Sequence, residues 1–139
     1  MTKIIAIANQ KGGVGKTTTT FNLGVALIKE EKKVLIVDAD PQGDLTIYAG
    51  INKPDELTIS LATLMENAID YDFKELNKAI IHNSEGVDLI PSNLDLASLE
   101  MSLVNVMSRE GVLRSCLEQF KEQYDYILID CMPSLGKIY

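Results

Sequence analysis

The chain has 139 residues, 46% of them hydrophobic and 24% charged, with a net charge of −7, which is the composition of a soluble globular protein able to bury a moderate core as one domain. No apolar run reaches membrane-spanning length and no basic-then-apolar leader opens the chain, so no membrane partner is expected and the cytoplasm is the default compartment; Cys116 and Cys131 are too few for a disulfide framework and are read as reduced thiols. The charge is uneven: residues 1–50 hold six basic and five acidic side chains, residues 51–139 hold seven and fifteen, so a surface built from the second part repels nucleic acid.

Ile4 to Ala8 fit a buried strand, and Gly12, Gly13 and Gly15 then let the backbone bend with its N–H groups turned inward. Such a loop cradles phosphates. Lys16 places a cation on the terminal phosphates, the Thr17 hydroxyl is suited to Mg²⁺, and the helix that begins there adds the positive end of its dipole. The usual spacing G-x-x-x-x-G-K-[ST] fails only at its first position, where Gln10 stands.

A helix is predicted over residues 17–31, with Phe21, Val25 and Ile28 at helical spacing and Leu23 and Leu27 beside them. Val34 to Val37 is an apolar run of strand length, as expected for a parallel strand buried on both faces, and it ends at Asp38-Ala39-Asp40-Pro41-Gln42-Gly43. Carboxylates at the carboxyl end of such a strand are placed for chemistry, although Asp, Pro and Gly also simply favour a turn. Asp44 is left unassigned.

Leu57–Met65 and Phe73–Ile81 are predicted as short helices, the first capped by Thr58 or Ser60 and the second by Asp72. His82 is placed in a solvated loop, with no Cys or His near it in sequence to make a metal site. Val87 to Pro91 reads as a short strand. Helices follow over residues 94–107, with a face of Leu96, Leu99, Leu103 and Met107, and over residues 109–123, with Val112, Leu113, Cys116, Leu117 and Phe120. Cys116 on that packed face is expected to be inert, and Met101 and Met107 to fill core or interface. Tyr124 to Asp130 is an apolar strand ending in a carboxylate.

Lys11-Gly12-Gly13-Val14-Gly15-Lys16-Thr17-Thr18 resembles the deviant Walker A loop of the ParA/MinD family, Asp38-Ala39-Asp40-Pro41-Gln42-Gly43 its second motif, and Asp130 with its strand the family's Walker B. Val87-Asp88-Leu89-Ile90-Pro91-Ser92 resembles the D-x-I-P-S segment, and Cys131-Met132-Pro133-Ser134-Leu135-Gly136 the D-C-P-P-S-L-G switch with Met132 in place of a proline. The resemblance implies an α/β fold, a P-loop NTPase-type parallel sheet flanked by helices. It implies ATP and Mg²⁺ as ligands, with residues 12–18 around the phosphates, Thr17 and Asp130 holding Mg²⁺, Asp38 supporting that shell, and Asp40 positioning the attacking water. Lys11 then reaches across a nucleotide-bound homodimer to the partner's phosphates.

The function so implied is ATP hydrolysis driving a monomer–dimer switch in plasmid or chromosome partition, with a ParB-like partner and non-specific DNA. DNA binding by this acidic chain itself is expected to be poor. ParA proteins are longer, and the portion absent here carries further strands and the base-binding and DNA-binding residues. The strand from Ile4 is therefore expected at an edge beside the Walker B strand, and the chain is expected to be a fragment, a natural truncation, or a half that completes its sheet with a second copy. The alternatives are a non-catalytic remnant or interaction module, and a MinD-like regulator of division.

Overall fold

The computed structural model describes residues 1–7, 14–103 and 106–131. Strand β1 (Lys3–Ile7) leads to helix α1 (Val14–Lys29), strand β2 (Val34–Ala39) and the short helix α2 (Asp44–Tyr48). Helix α3 (Leu61–Ile69), strands β3 (Ile81–His82) and β4 (Asp88–Ile90), helices α4 (Asp95–Ser102) and α5 (Val106–Glu118) and strand β5 (Tyr126–Cys131) follow. The five strands form one sheet in the order β1-β5-β2-β4-β3, parallel except for the antiparallel β3–β4 pair.

β2 is buried along its whole length because helices cover both faces. Alternation along the strand divides its side chains. Leu35, Val37 and Ala39 join Ile127, Ile129 and Cys131 of β5 under α3 and α5, in a core that includes Leu64, Leu113, Cys116 and Phe120. Val34 and Ile36 join Leu128, Leu89 and Val87 under α1, through Phe21. α1 approaches the sheet most closely at Gly24, where an added Cβ would stand 2.7 Å from Ile36 Cδ1 and 3.2 Å from Val87 Cγ1.

The apolar runs of β1, β2 and β5 are where the sequence predicts them, and the strand from Ile4 pairs with β5 and, among the described residues, with no other strand. The helix expected over residues 17–31 runs from Val14 to Lys29, and Leu23 lies on its outer face, 37% exposed. α3 starts at Leu61 because Ser60 caps it: the Ser60 side chain takes the Thr63 backbone N–H while the Thr63 hydroxyl accepts from the Ser60 N–H at 3.2 Å.

The expected helix over Phe73–Ile81 reduces to a 3₁₀ turn at Leu76–Ala79. Phe73, Leu76, Ala79 and Ile80 still face the core, since an i, i+3 spacing fits a 3₁₀ turn as well as an α-helix. The chain leaves the turn early because Ile81 and His82 pair with Leu89 and Asp88. His82 thus stands on an edge strand rather than in a loop. Its ring Nδ1 is 2.6 Å from Asp88 Oδ1, with the side chain 80% exposed.

Candidate functional site

The alternation that buries β2 and β5 also sets where their last carboxylates point. Asp38 follows Val34 and Ile36 on the α1 face, and Asp130 follows Leu128 on the same face. The two are register partners across β2 and β5. Both are buried, Asp38 at 0% and Asp130 at 1% exposure, and Thr17 in the first turns of α1 is buried beside them at 3%. The Thr17 hydroxyl lies 3.4 Å from Asp130 Oδ2. Three side chains spread across 113 positions of sequence therefore come together at the carboxyl ends of the strands, where open parallel sheets bind ligands.

Asp38 is engaged by its own chain. Its Oδ1 accepts from the Asp40 N–H at 3.1 Å, and its Oδ2 accepts from the Thr46 N–H at 3.0 Å and the Thr46 hydroxyl at 2.7 Å. Burial pushes its carboxyl up to about 7; the hydrogen bonds from Thr46 and Asp40 pull the other way, and the nearby charge of Asp130 adds to the rise.

Hard oxygen donors on two facing carboxylates and a hydroxyl suit Mg²⁺, and a divalent cation would relieve the repulsion between Asp38 and Asp130. Among the described residues no group of three or more His, Cys, Asp or Glu side chains could hold a metal alone, so Mg²⁺ would need other oxygens, such as those of a phosphate.

Asp40 stands half-buried just beyond β2. Its Oδ1 accepts from the Gln42 N–H at 3.0 Å, and its carbonyl accepts from the Gly43 N–H at 3.0 Å and the Ser92 hydroxyl at 2.7 Å. Gly43 takes a left-handed backbone (φ 70°), so the turn after Asp40 favours glycine.

Lys11, Gly12 and Gly13 lie outside the described residues, as do the side chains of Val14 and Lys16 and the segment from Met132 to Gly136. Gly15, Lys16 and Thr18 occupy the start of α1 with Thr17, so β1 and α1 bracket residues 8–13 in sequence. Thr46 and Ser92 are both fully buried; Thr46 carries no sequence signal, and Ser92 shows only as the end of the D-x-I-P-S resemblance. The pair Glu100–Arg109, whose Oε2 and Nη1 are 4.0 Å apart, carries no sequence signal either. Burial raises the Glu100 carboxyl, Arg109 opposes this, and the charge of Asp40 adds to the rise, which puts Glu100 within electrostatic reach of the loop. A separate cavity of about 550 Å³, lined by Lys32, His82, Asp88 and Tyr124, opens at the opposite, amino-terminal end of the strands.

A family model described as an AAA domain matches residues 2–139. The chain is 49% identical over 136 residues to the sporulation initiation inhibitor protein Soj of Bacillus subtilis, covering 98% of this chain and 52% of Soj. It is 43% identical over 136 residues to the chromosome partitioning protein ParA of Myxococcus xanthus, covering 96% of this chain and 46% of that one. Among solved structures, cobyrinic acid a,c-diamide synthase from Mycobacterium smegmatis, crystallised with a bound ATP analog and magnesium, superposes with a TM-score of 0.85 at 40% identity, covering 99% of this chain and 54% of that one. The chain thus spans about half the length of the relatives it matches.

Proposed function

Because the chain belongs to the P-loop family described as the AAA domain and is similar to its Soj and ParA members, we propose that it binds Mg²⁺-ATP and hydrolyses it as a ParA-like ATPase. The observation that carries this reading is the convergence of Thr17, Asp38 and Asp130 at the first turns of α1, the helix that begins with Lys16 and Thr17 in its first turn. The solved relative named above shares this fold while bearing a different activity, so the fold alone does not choose. The choice of partition rests on the likeness to Soj and ParA.

In this proposal the loop amides of residues 12–15 and Lys16 hold the phosphates, with Thr18 beside them, and the dipole of α1 favours their charge. Thr17 and Asp130 offer oxygens to Mg²⁺, and Asp38 steadies that shell. When bound, Mg²⁺ supplies positive charge against the phosphate oxygens. Asp40 orients the attacking water toward the terminal phosphate, and Lys11 of a second copy neutralises charge that develops there. The working cycle is a nucleotide-bound homodimer and a released monomer, served by a ParB-like partner and non-specific DNA in the cytoplasm over the nucleoid. Residues 1–139 act as one nucleotide-binding unit. No described helix is long and apolar enough to cross a membrane.

The test is a pair of variants assayed for nucleotide binding and for phosphate release. Lys16→Ala is expected to abolish binding, and Asp40→Ala to bind Mg²⁺-ATP while turnover falls at least about a hundredfold. Unchanged binding by Lys16→Ala would remove the phosphate role of the loop. Normal turnover by Asp40→Ala would move the water-positioning role elsewhere.

A further inference from the structure

Asp40 is held by a closed ring of hydrogen bonds drawn from two segments far apart in sequence. Its N–H donates to Asp38 Oδ1 (3.1 Å), Asp38 Oδ2 accepts from the Thr46 hydroxyl (2.7 Å), the Thr46 oxygen accepts from the Ser92 N–H (2.9 Å), and the Ser92 hydroxyl donates to the Asp40 carbonyl (2.7 Å). Asp38, Thr46 and Ser92 are all 0% exposed, and Asp40 is the ring's half-buried member. From this geometry we propose that Thr46 and Ser92 are positioning residues for the hydrolytic step, fixing the backbone of Asp40 so that its carboxylate meets the water it orients. The inference rests on the role proposed above for Asp40.

The chemistry of the ring calls for these residue types. The Thr46 hydroxyl gives its proton to Asp38 and takes one from the Ser92 amide, which a valine of the same shape cannot do. Ser92 uses its amide and its hydroxyl in opposite directions along the ring, so it ties the end of β4 to the loop after β2. Anchoring α2 needs only the Thr46 backbone N–H on Asp38, which is present as a separate bond. The Ser92 hydroxyl instead holds the Asp40 carbonyl directly, while the Thr46 hydroxyl holds the Asp38 carboxylate that accepts from the Asp40 N–H, and fixing N–H and C=O together fixes the direction of the Cα–Cβ bond. A carboxylate displaced by about 1 Å from a productive geometry loses on the order of a hundredfold in rate.

The experiment compares Ser92→Ala, Thr46→Val and Thr46→Ser with wild type in the full chain, measuring Mg²⁺-ATP affinity, turnover and melting temperature. Ser92→Ala removes only the bond to the Asp40 carbonyl and leaves the Ser92 amide on Thr46, so it keeps the question open even where Thr46→Val fails to fold. The expected result is an affinity within about twofold of wild type for each folded variant. Turnover falls about tenfold or more in Ser92→Ala and about a hundredfold in Thr46→Val, and returns in Thr46→Ser. Turnover unchanged in Ser92→Ala, or affinity falling in step with turnover, would overturn the inference while leaving the ATPase reading intact. A wild-type chain that binds Mg²⁺-ATP without turning it over would remove that reading, and this inference with it.

Discussion

Asp38 and Asp130 face each other in register on adjacent parallel strands, two buried carboxylates sharing one end of the sheet. Each makes the other's charge costlier, and a bound cation reverses that cost. Mg²⁺-ATP at about a hundred times its dissociation constant should therefore stabilise the protein by about 2.7 kcal/mol. In Asp130→Asn the Mg²⁺-dependent part of that gain should vanish. Thermal melts with ATP, with and without Mg²⁺, check this, and an equal Mg²⁺ effect in both proteins would exclude Asp130 from the metal shell.

The approach of α1 to β2 at Gly24 makes a second prediction. A side chain there gains helix propensity of at most about 1 kcal/mol but meets Ile36 and Val87 inside contact distance, and Ile36 is itself fully buried. Gly24→Val should lose about 2 kcal/mol of stability, by the usual cost of overpacking. Denaturant unfolding measures it; a variant as stable as wild type would mean that α1 stands farther from the sheet.

Stability at alkaline pH should fall for a reason that lies in the core. Burial pushes the Cys116 thiol from about 9 up to about 12, and burial together with the hydrogen bond to Asp88 raises the Tyr124 hydroxyl. Both groups hold their protons longer folded than unfolded. The folded state therefore binds more protons above pH 9, and stability declines as pH rises from about 9 toward 12, by about 1.4 kcal/mol per pH unit for each group at most. Cys116→Ala should flatten that decline. The thiol, donating to the Leu64 carbonyl at 3.4 Å, should also resist alkylation at pH 8 in the folded chain.

β1 is the edge of the described sheet nearest the loop, and Ile5 is 38% exposed on it. Such an edge invites pairing with another strand. In the 139-residue chain Ile5→Lys should reduce concentration-dependent association in sedimentation and leave thermal stability within about 0.5 kcal/mol. Association unchanged by the lysine would place the contact elsewhere.

What could be read from residues alone follows from which signals are local. The apolar runs ending in Asp38 and Asp130 announce both the strands and their carboxylates, because a strand buried on both faces needs no partner to be recognised. Thr46 leaves no such mark, and Ser92 shows only as the last residue of the D-x-I-P-S resemblance, with no role attached. Nothing in the sequence around Thr46 points to a role, and only the fold brings it beside an amide 46 positions away. Glu100 and Arg109 likewise carry no sequence signal of their pairing, yet their side chains are 14% and 15% exposed. Phe73–Ile81 forms a 3₁₀ turn rather than the expected helix because its apolar spacing of three serves both, and the pairing of Ile81 with Leu89 decides between them.

Residues 11–18, Asp38, Asp40 and Asp130 are proposed above to form a site for Mg²⁺-ATP. Calorimetric titration of Mg²⁺-ATP into this chain, beside Lys16→Ala, tests it most directly. Saturable one-site binding by wild type that is lost in Lys16→Ala is the predicted result. A folded wild-type chain that takes up no heat beyond dilution, or a Lys16→Ala variant that binds as well, would contradict it.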